Sequence, residues 1–303
     1  MSFNVKIPLD VLSTNKKTYV NNFALATRET GRLMLFAGDQ KAEHLNDDFY
    51  GEGITGENNN PEHMFRIADK GRVGVFATQL GLISRYGMDY KDVPYLVKLN
   101  SKTHLVKTSQ KDPSSTQWFS VAQIEKFRKI SKLKITGVGY TVYLGSEFEG
   151  EMLREAAQIN YEAHNLGMFT VMWIYPRGRA VIDEKDPHII AGAAGVAATL
   201  GADFVKVNAP KKEGMSAGEA LREAVQAAGR TKLICAGGSS TNAMNFLQGL
   251  YDQIHVGGAF GNATGRNIHQ KPLREAIRFC NAISALTFEN KNVEQALKIY
   301  KKE

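Results

Sequence analysis

Cysteine is scarce, long apolar runs are missing, and the positive charge is not clustered. Only Cys235 and Cys280 occur among 303 residues. This excludes a disulfide scaffold and a cysteine-based metal site, and it fits a reducing cytosol. No apolar run reaches the ~18 residues that a membrane span needs. Residues 1–10 show no basic-then-apolar pattern, so secretion is not expected and a cytoplasmic location is. The 38 Lys and Arg against 31 Asp and Glu leave +7, spread along the chain. A nucleic-acid binder usually shows a basic stripe, and none is present. What the chain does contain is ordinary globular composition, 43% hydrophobic and 23% charged, which argues against disorder.

Short apolar runs alternate with longer amphipathic stretches. The runs are Leu33–Ala37, Val73–Ala77, Tyr95–Leu99, Ile135–Leu144, Phe169–Tyr175, Asp203–Asn208, Leu233–Ala236 and Ile254–Val256. Continuous apolar character suits parallel strands buried on both faces. Between them, Ser146 with Glu149 and Ser216 with Glu219 have the spacing of helix capping boxes. Phe148, Met152, Ala156, Ile159, Ala163 and Leu166 form one stripe at helical spacing, closed by Gly167. Further helices are expected over Leu273–Ile283 and Asn292–Tyr300. Eight strand–helix units predict an α/β (β/α)8 TIM barrel as a single domain over residues 1–303. Residues 1–32 read as an N-terminal capping extension. An open doubly wound sheet is the alternative. Gly51-Glu-Gly53-Ile-Thr-Gly56 has the spacing of a dinucleotide loop, but no strand precedes it and no helix pattern follows. It reads as a mobile loop after the first strand, with a lid role open to it.

Polar groups at the C-terminal ends of barrel strands are the candidates for chemistry. Lys206 sits in Phe204-Val205-Lys206-Val207, so alternation turns it to the barrel axis if the valines face the helices. A buried amine loses charge and becomes a nucleophile for carbonyl carbon. Lys98, in Val97-Lys98-Leu99, looks the same, and local context cannot rank the two. If both point inward, like-charge repulsion lowers both. Either lysine reads equally well as half of an ion pair. Trp173 and Tyr175 share one face of the fifth strand, and the phenol suits proton transfer beside an imine; two aromatics filling the interior is the plainer reading. Asp39 reads either as a cap or as a group that holds the amine, a substrate hydroxyl or a proton. Glycines let backbone N–H groups approach an anion, so Gly237, Gly238, Ser239 and Gly265 with the Arg266 fork point to a phosphate site after the last two strands. The seven histidines, His44, His63, His104, His164, His188, His255 and His269, show no ligand spacing along a helix or strand, so no metal is expected. Glu43-His44 is a candidate contact for substrate hydroxyl or phosphate, with a solvated loop as the plainer reading. The Asn262-Ala-Thr264 sequon has no use in the cytosol.

Together, Gly38-Asp39-Gln40-Lys41-Ala42-Glu43-His44, Trp173-Ile-Tyr175-Pro-Arg-Gly178, Ala202–Val207, Ala236-Gly237-Gly238 and Gly258–Asn267 resemble the archaeal-type class I fructose-1,6-bisphosphate aldolases. The likeness covers about Leu33 to Arg278. It implies a TIM barrel with Lys206 as the imine-forming lysine, Tyr175 as the proton-transferring tyrosine with Trp173 beside it, and Asp39 at the end of strand 1. Gly237, Gly238, Gly265 and Arg266 then hold the phosphate of dihydroxyacetone phosphate. The resemblance further implies a small phosphosugar substrate, no cofactor, and a homo-oligomer, decameric in many members. Gln40-Lys41 departs from the His-Gly or Gln-Gly of many members, which leaves the neighbouring loop's contacts open. A related aldolase or transaldolase acting on another phosphosugar, as in aromatic amino-acid precursor synthesis, is the alternative function. A phosphosugar-binding regulator without catalysis is the reading from another class.

Overall fold

The computed structural model describes residues 5–238 and 241–302. Eight parallel strands close into a TIM barrel in sequence order. They are β1 (Leu33–Ala37), β2 (Val75–Gln79), β3 (Tyr95–Lys98), β4 (Ile135–Leu144), β5 (Phe169–Pro176), β6 (Phe204–Val207), β7 (Lys232–Ala236) and β8 (Gly261–Thr264). The strands are buried on both faces because side chains inside the barrel pack on one another and those outside meet helices. All five residues of β1 and of β2 are buried, and the Phe36 and Phe76 rings stack at 5.2 Å.

The helix Glu149–Asn165 buries Met152, Ala156, Ile159 and Ala163, the stripe read from spacing. Its start differs from a capping box. Glu149 accepts from the Gly145 N–H, while the Ser146 hydroxyl donates to the Pro113 carbonyl and accepts from the Phe148 N–H. Ser216 and Glu219 do form the reciprocal pair. The later helices run Leu273–Glu289 and Val293–Lys301.

The expected eighth strand is misplaced. Ile254 and His255 end the helix Ala243–His255, and β8 is the small, polar Gly261–Thr264. A Cβ at Gly261 would fall 1.9 Å from the Leu33 carbonyl oxygen, so only glycine lets β8 close against β1. Asn262 is 2% exposed and donates to Thr287, which makes the sequon inaccessible.

The segment after β1 is held in place rather than loose. Asn58 is fully buried, donates to the Asp48 carbonyl and meets His269 Nδ1. The Thr55 N–H reaches the Gln270 carbonyl. Residues Gly56–Asn59 form a 3-10 turn, so the glycine spacing opens no dinucleotide-binding helix.

Before β1, the helix Lys16–Thr27 packs at the opposite end of the barrel from those loops. Its Phe23 ring stacks on Phe204 at 5.4 Å, and the Tyr19 hydroxyl donates to the Asp203 carboxylate. Asp203 also accepts from the Thr170 N–H at 2.8 Å and from His164 Nε2 at 3.0 Å, while His164 Nδ1 meets Asp10 at 2.9 Å. Among the described residues, no helix is long and apolar enough to cross a membrane.

Candidate active site

Strand alternation turns Lys98 and Lys206 into the barrel, at 3% and 5% exposure. Each Nζ lies 5.1 Å from the centre of the Trp173 ring. Trp173 stands beside Lys206 in the register of β5 and β6, so the indole face receives both ammonium groups. Their partners separate them. Lys98 donates to the Asn100 carbonyl at 2.9 Å and to Asn100 Oδ1 at 3.0 Å. Lys206 makes no hydrogen bond among the described residues. It opens instead onto a cavity of about 200 Å³ at the C-terminal mouth of the barrel.

That cavity gathers residues from six of the eight strand ends. Asp39, His44, Tyr175, Lys206, Gly237, Gly238, Gly265 and Arg266 all line it. Trp173 and Lys98 lie behind the wall, and Ser239 falls outside the described residues. Gly238 has a positive φ of 67°, a conformation that disfavours side chains. At Gly265 a Cβ would meet the Gln40 side chain at 2.3 Å and the Ala37 carbonyl at 2.7 Å. The chain therefore needs glycine at both places to bring these backbones to the cavity. Arg266 donates to the Gly238 carbonyl and faces Asp48 at 3.5 Å. Its Nε is buried without a partner among the described residues, which leaves donor capacity for an anion. Asp39 is 3% exposed and its Oδ1 has no hydrogen bond among the described residues.

Burial dominates the electrostatics. It lowers the Lys206 amine, with Arg266 adding to the effect and Asp39 and Glu43 opposing it. It brings Lys98 down to about 8 against the same two carboxylates, with Lys206 helping. The like charge that most affects Lys206 is thus Arg266, where Lys98 was expected. Burial, then Glu43 and Asp39, raise the Tyr175 phenol well above its ordinary value, so it stays protonated and is a proton donor.

Sequence spacing points to Glu43 with His44 but assigns no role to two further lining residues, His104 and Arg177. Burial works to raise Glu43, but the His104 hydrogen bond and the charges of Lys98 and His44 bring it down to about 2. Its Oε1 accepts from Tyr143 at 3.2 Å and lies 3.1 Å from His104 Nε2. Arg177 Nε reaches both Glu184 oxygens, at 3.2 and 3.1 Å, and its guanidinium lies 5.6 Å from the Tyr175 ring centre. Arg177 was findable, since it follows strand 5 at the interval that carries Trp173 and Tyr175. His104 was not, because it lies in the irregular stretch after β3 and meets Glu43 only in three dimensions. His44 is present as expected, though its Nδ1 is turned to Asp48.

Known proteins are similar to this chain over most of its length. Residues 33–271 match the family described as DeoC/LacD family aldolase. A Methanocaldococcus jannaschii protein named fructose-bisphosphate aldolase/6-deoxy-5-ketofructose 1-phosphate synthase is 58% identical over 98% of this chain and 94% of its own. A solved fructose-bisphosphate aldolase from Slackia heliotrinireducens superposes with a TM-score of 0.97 at 56% identity, covering 99% of this chain and 94% of that one. An archaeal fructose-1,6-bisphosphate aldolase, described with its catalytic lysine covalently bound to the carbinolamine intermediate, gives 0.75 at 30% identity over 89% and 99%. The chain is an aldehyde-lyase of the DeoC/LacD aldolase family, with the archaeal class I fructose-bisphosphate aldolases among its relatives.

Proposed function

We propose that this chain is a Schiff-base fructose-bisphosphate aldolase, reversibly cleaving fructose 1,6-bisphosphate to dihydroxyacetone phosphate and glyceraldehyde 3-phosphate. One observation carries the reading. The unbonded Lys206 amine opens onto the same cavity as Gly238, Gly265 and Arg266, so a ketone can meet the nucleophile while its phosphate is held. Lys206 attacks the C2 carbonyl, and loss of water leaves an iminium. Asp39 takes the proton of the C4 hydroxyl, and the C3–C4 electrons pass into the iminium as an enamine. Glyceraldehyde 3-phosphate leaves. Tyr175 protonates C3, and water releases dihydroxyacetone phosphate and the free amine. Condensation runs the same steps backwards. Holding the phosphate fixes the reacting carbon, and orientation of this kind can contribute ~7–11 kcal/mol.

The second phosphate needs cations, and the mouth supplies them. A side cavity of about 320 Å³ shares His104 and Arg177 with the main one and adds Lys102 and Lys107. The double name of the M. jannaschii relative favours a second reading with the same donor half. Cutting C3–C4 of a 6-deoxy-5-ketofructose 1-phosphate gives dihydroxyacetone phosphate and the neutral acceptor 2-oxopropanal. Lys206 and the anion cradle serve both.

Borohydride reduction in the presence of dihydroxyacetone phosphate, with peptide mapping, tests the shared chemistry. The expected adduct is on the Lys206 peptide; an adduct on the Lys98 peptide, or none, overturns it. Condensation kinetics with glyceraldehyde 3-phosphate and with 2-oxopropanal then decide the acceptor. Lys102→Ala is expected to raise KM for the phosphorylated aldehyde and leave 2-oxopropanal unaffected.

A further inference from the structure

The end of the short helix Gln40–Glu43 and the loop after β3 bring Glu43, His44 and His104 together at the rim of the mouth. One ligand atom from each lies within 4.8 Å of the others. The side chains are 17%, 19% and 39% exposed, so an ion could reach them. The backbone holds the pair as well, with the His104 N–H donating to the Glu43 carbonyl at 2.9 Å. The His44 and His104 rings lie 4.6 Å apart.

We propose that Glu43, His44 and His104 form a binding site for a borderline divalent cation such as Zn2+ or Co2+, with an open position facing the main cavity. Two imidazoles and a carboxylate are a donor set that prefers such ions to Mg2+ or Ca2+. Three protein ligands leave a fourth tetrahedral position for water or another ligand. Tetrahedral Zn–N and Zn–O bonds set ligand atoms about 3.3 Å apart; Glu43 and His104 already stand at 3.1 Å, and all three ligand atoms lie within 4.8 Å of one another. The pairing of His44 Nδ1 with Asp48 leaves Nε2 for the ion. A carboxylate behind a ligating histidine sets its tautomer and raises its basicity. An ion here would tie the segment after β1 to the segment after β3 across the rim. The proposal does not depend on which sugar the enzyme cleaves, since binding is read without substrate.

The test uses the full chain after chelator treatment. Co2+ titration is expected to give one equivalent per chain with visible d–d bands. Zn2+ is expected to protect His44 and His104 from carbethoxylation, mapped by mass spectrometry, while exposed His188 stays reactive. His104→Asn is expected to remove the bands, and Asp48→Asn to weaken Co2+ about 10- to 100-fold. The absence of bands in the unsubstituted chain, their persistence in His104→Asn, or unprotected His44 and His104 would overturn the assignment. The protection measurement needs no variant, so a poorly folding substitution leaves the proposal testable.

Discussion

At the N-terminal end of the barrel, His164 lies between Asp203 and Asp10, and Tyr19 and the Thr170 N–H complete the bonding of Asp203. At the C-terminal end, Lys206 is as deeply buried and has no hydrogen bond among the described residues. Burial works against the charge of both. Around His164, Asp203 and then Asp10 outweigh it and raise the imidazole to about 9. Around Lys206 burial wins, and the amine is lowered. Removing a partner from a buried paired charge costs the fold, while a buried charge left short of partners in a cleft is a candidate for chemistry.

Exchanging one end's character for the other's breaks that comparison. Lys206→Met is expected to abolish the borohydride-trapped adduct and aldol cleavage. The same substitution is expected to raise stability by about 1 kcal/mol or more, because it removes an unpaired buried amine. A lower melting temperature would show Lys206 to be a structural group after all. Tyr175→Phe keeps the ring and removes the proton, and is expected to cut kcat about 10²- to 10⁴-fold with imine trapping intact; loss of trapping would instead place Tyr175 before the bond-breaking step.

The opposite end is expected to answer through stability. Asp203→Asn leaves the His164 imidazolium half-paired and should cost about 3–5 kcal/mol, measured by denaturant unfolding, with kcat of the folded fraction unchanged. The smallest effect is a pH dependence. His164 has a folded pKa near 9 against an unfolded value of about 6.5. Its stabilisation is fully present below pH 6.5 and is lost as pH rises through 9, on the order of 3 kcal/mol. His164→Gln should flatten that part of the stability–pH curve; an unaltered slope would assign the dependence to other groups.

Strands β1 to β7 are visible in the sequence because barrel strands are apolar on both sides. β8 is not, since Gly261–Thr264 closes the sheet through small size and the Asn262–Thr287 bond rather than through hydrophobicity. Ile254–Val256 shows the converse: three apolar residues fit a helix end as well as a strand. The site was legible where chemistry follows a strand end, at Asp39, Tyr175, Lys206 and the Gly237–Gly238 and Gly265–Arg266 turns. It was illegible where a partner comes from an irregular segment, as with His104, which meets Glu43 from 61 positions away.

Alternation and glycine placement, both local properties of the chain, were enough to set an inward lysine on β6 and glycine turns after β7 and β8. Which of two similar lysines stays unbonded was decided in three dimensions: Asn100 holds Lys98, and nothing comparable reaches Lys206 among the described residues. The same holds for the size of each amine's shift, because burial and the fields of Asp39, Glu43 and Arg266 exist only once distant strand ends surround one cavity.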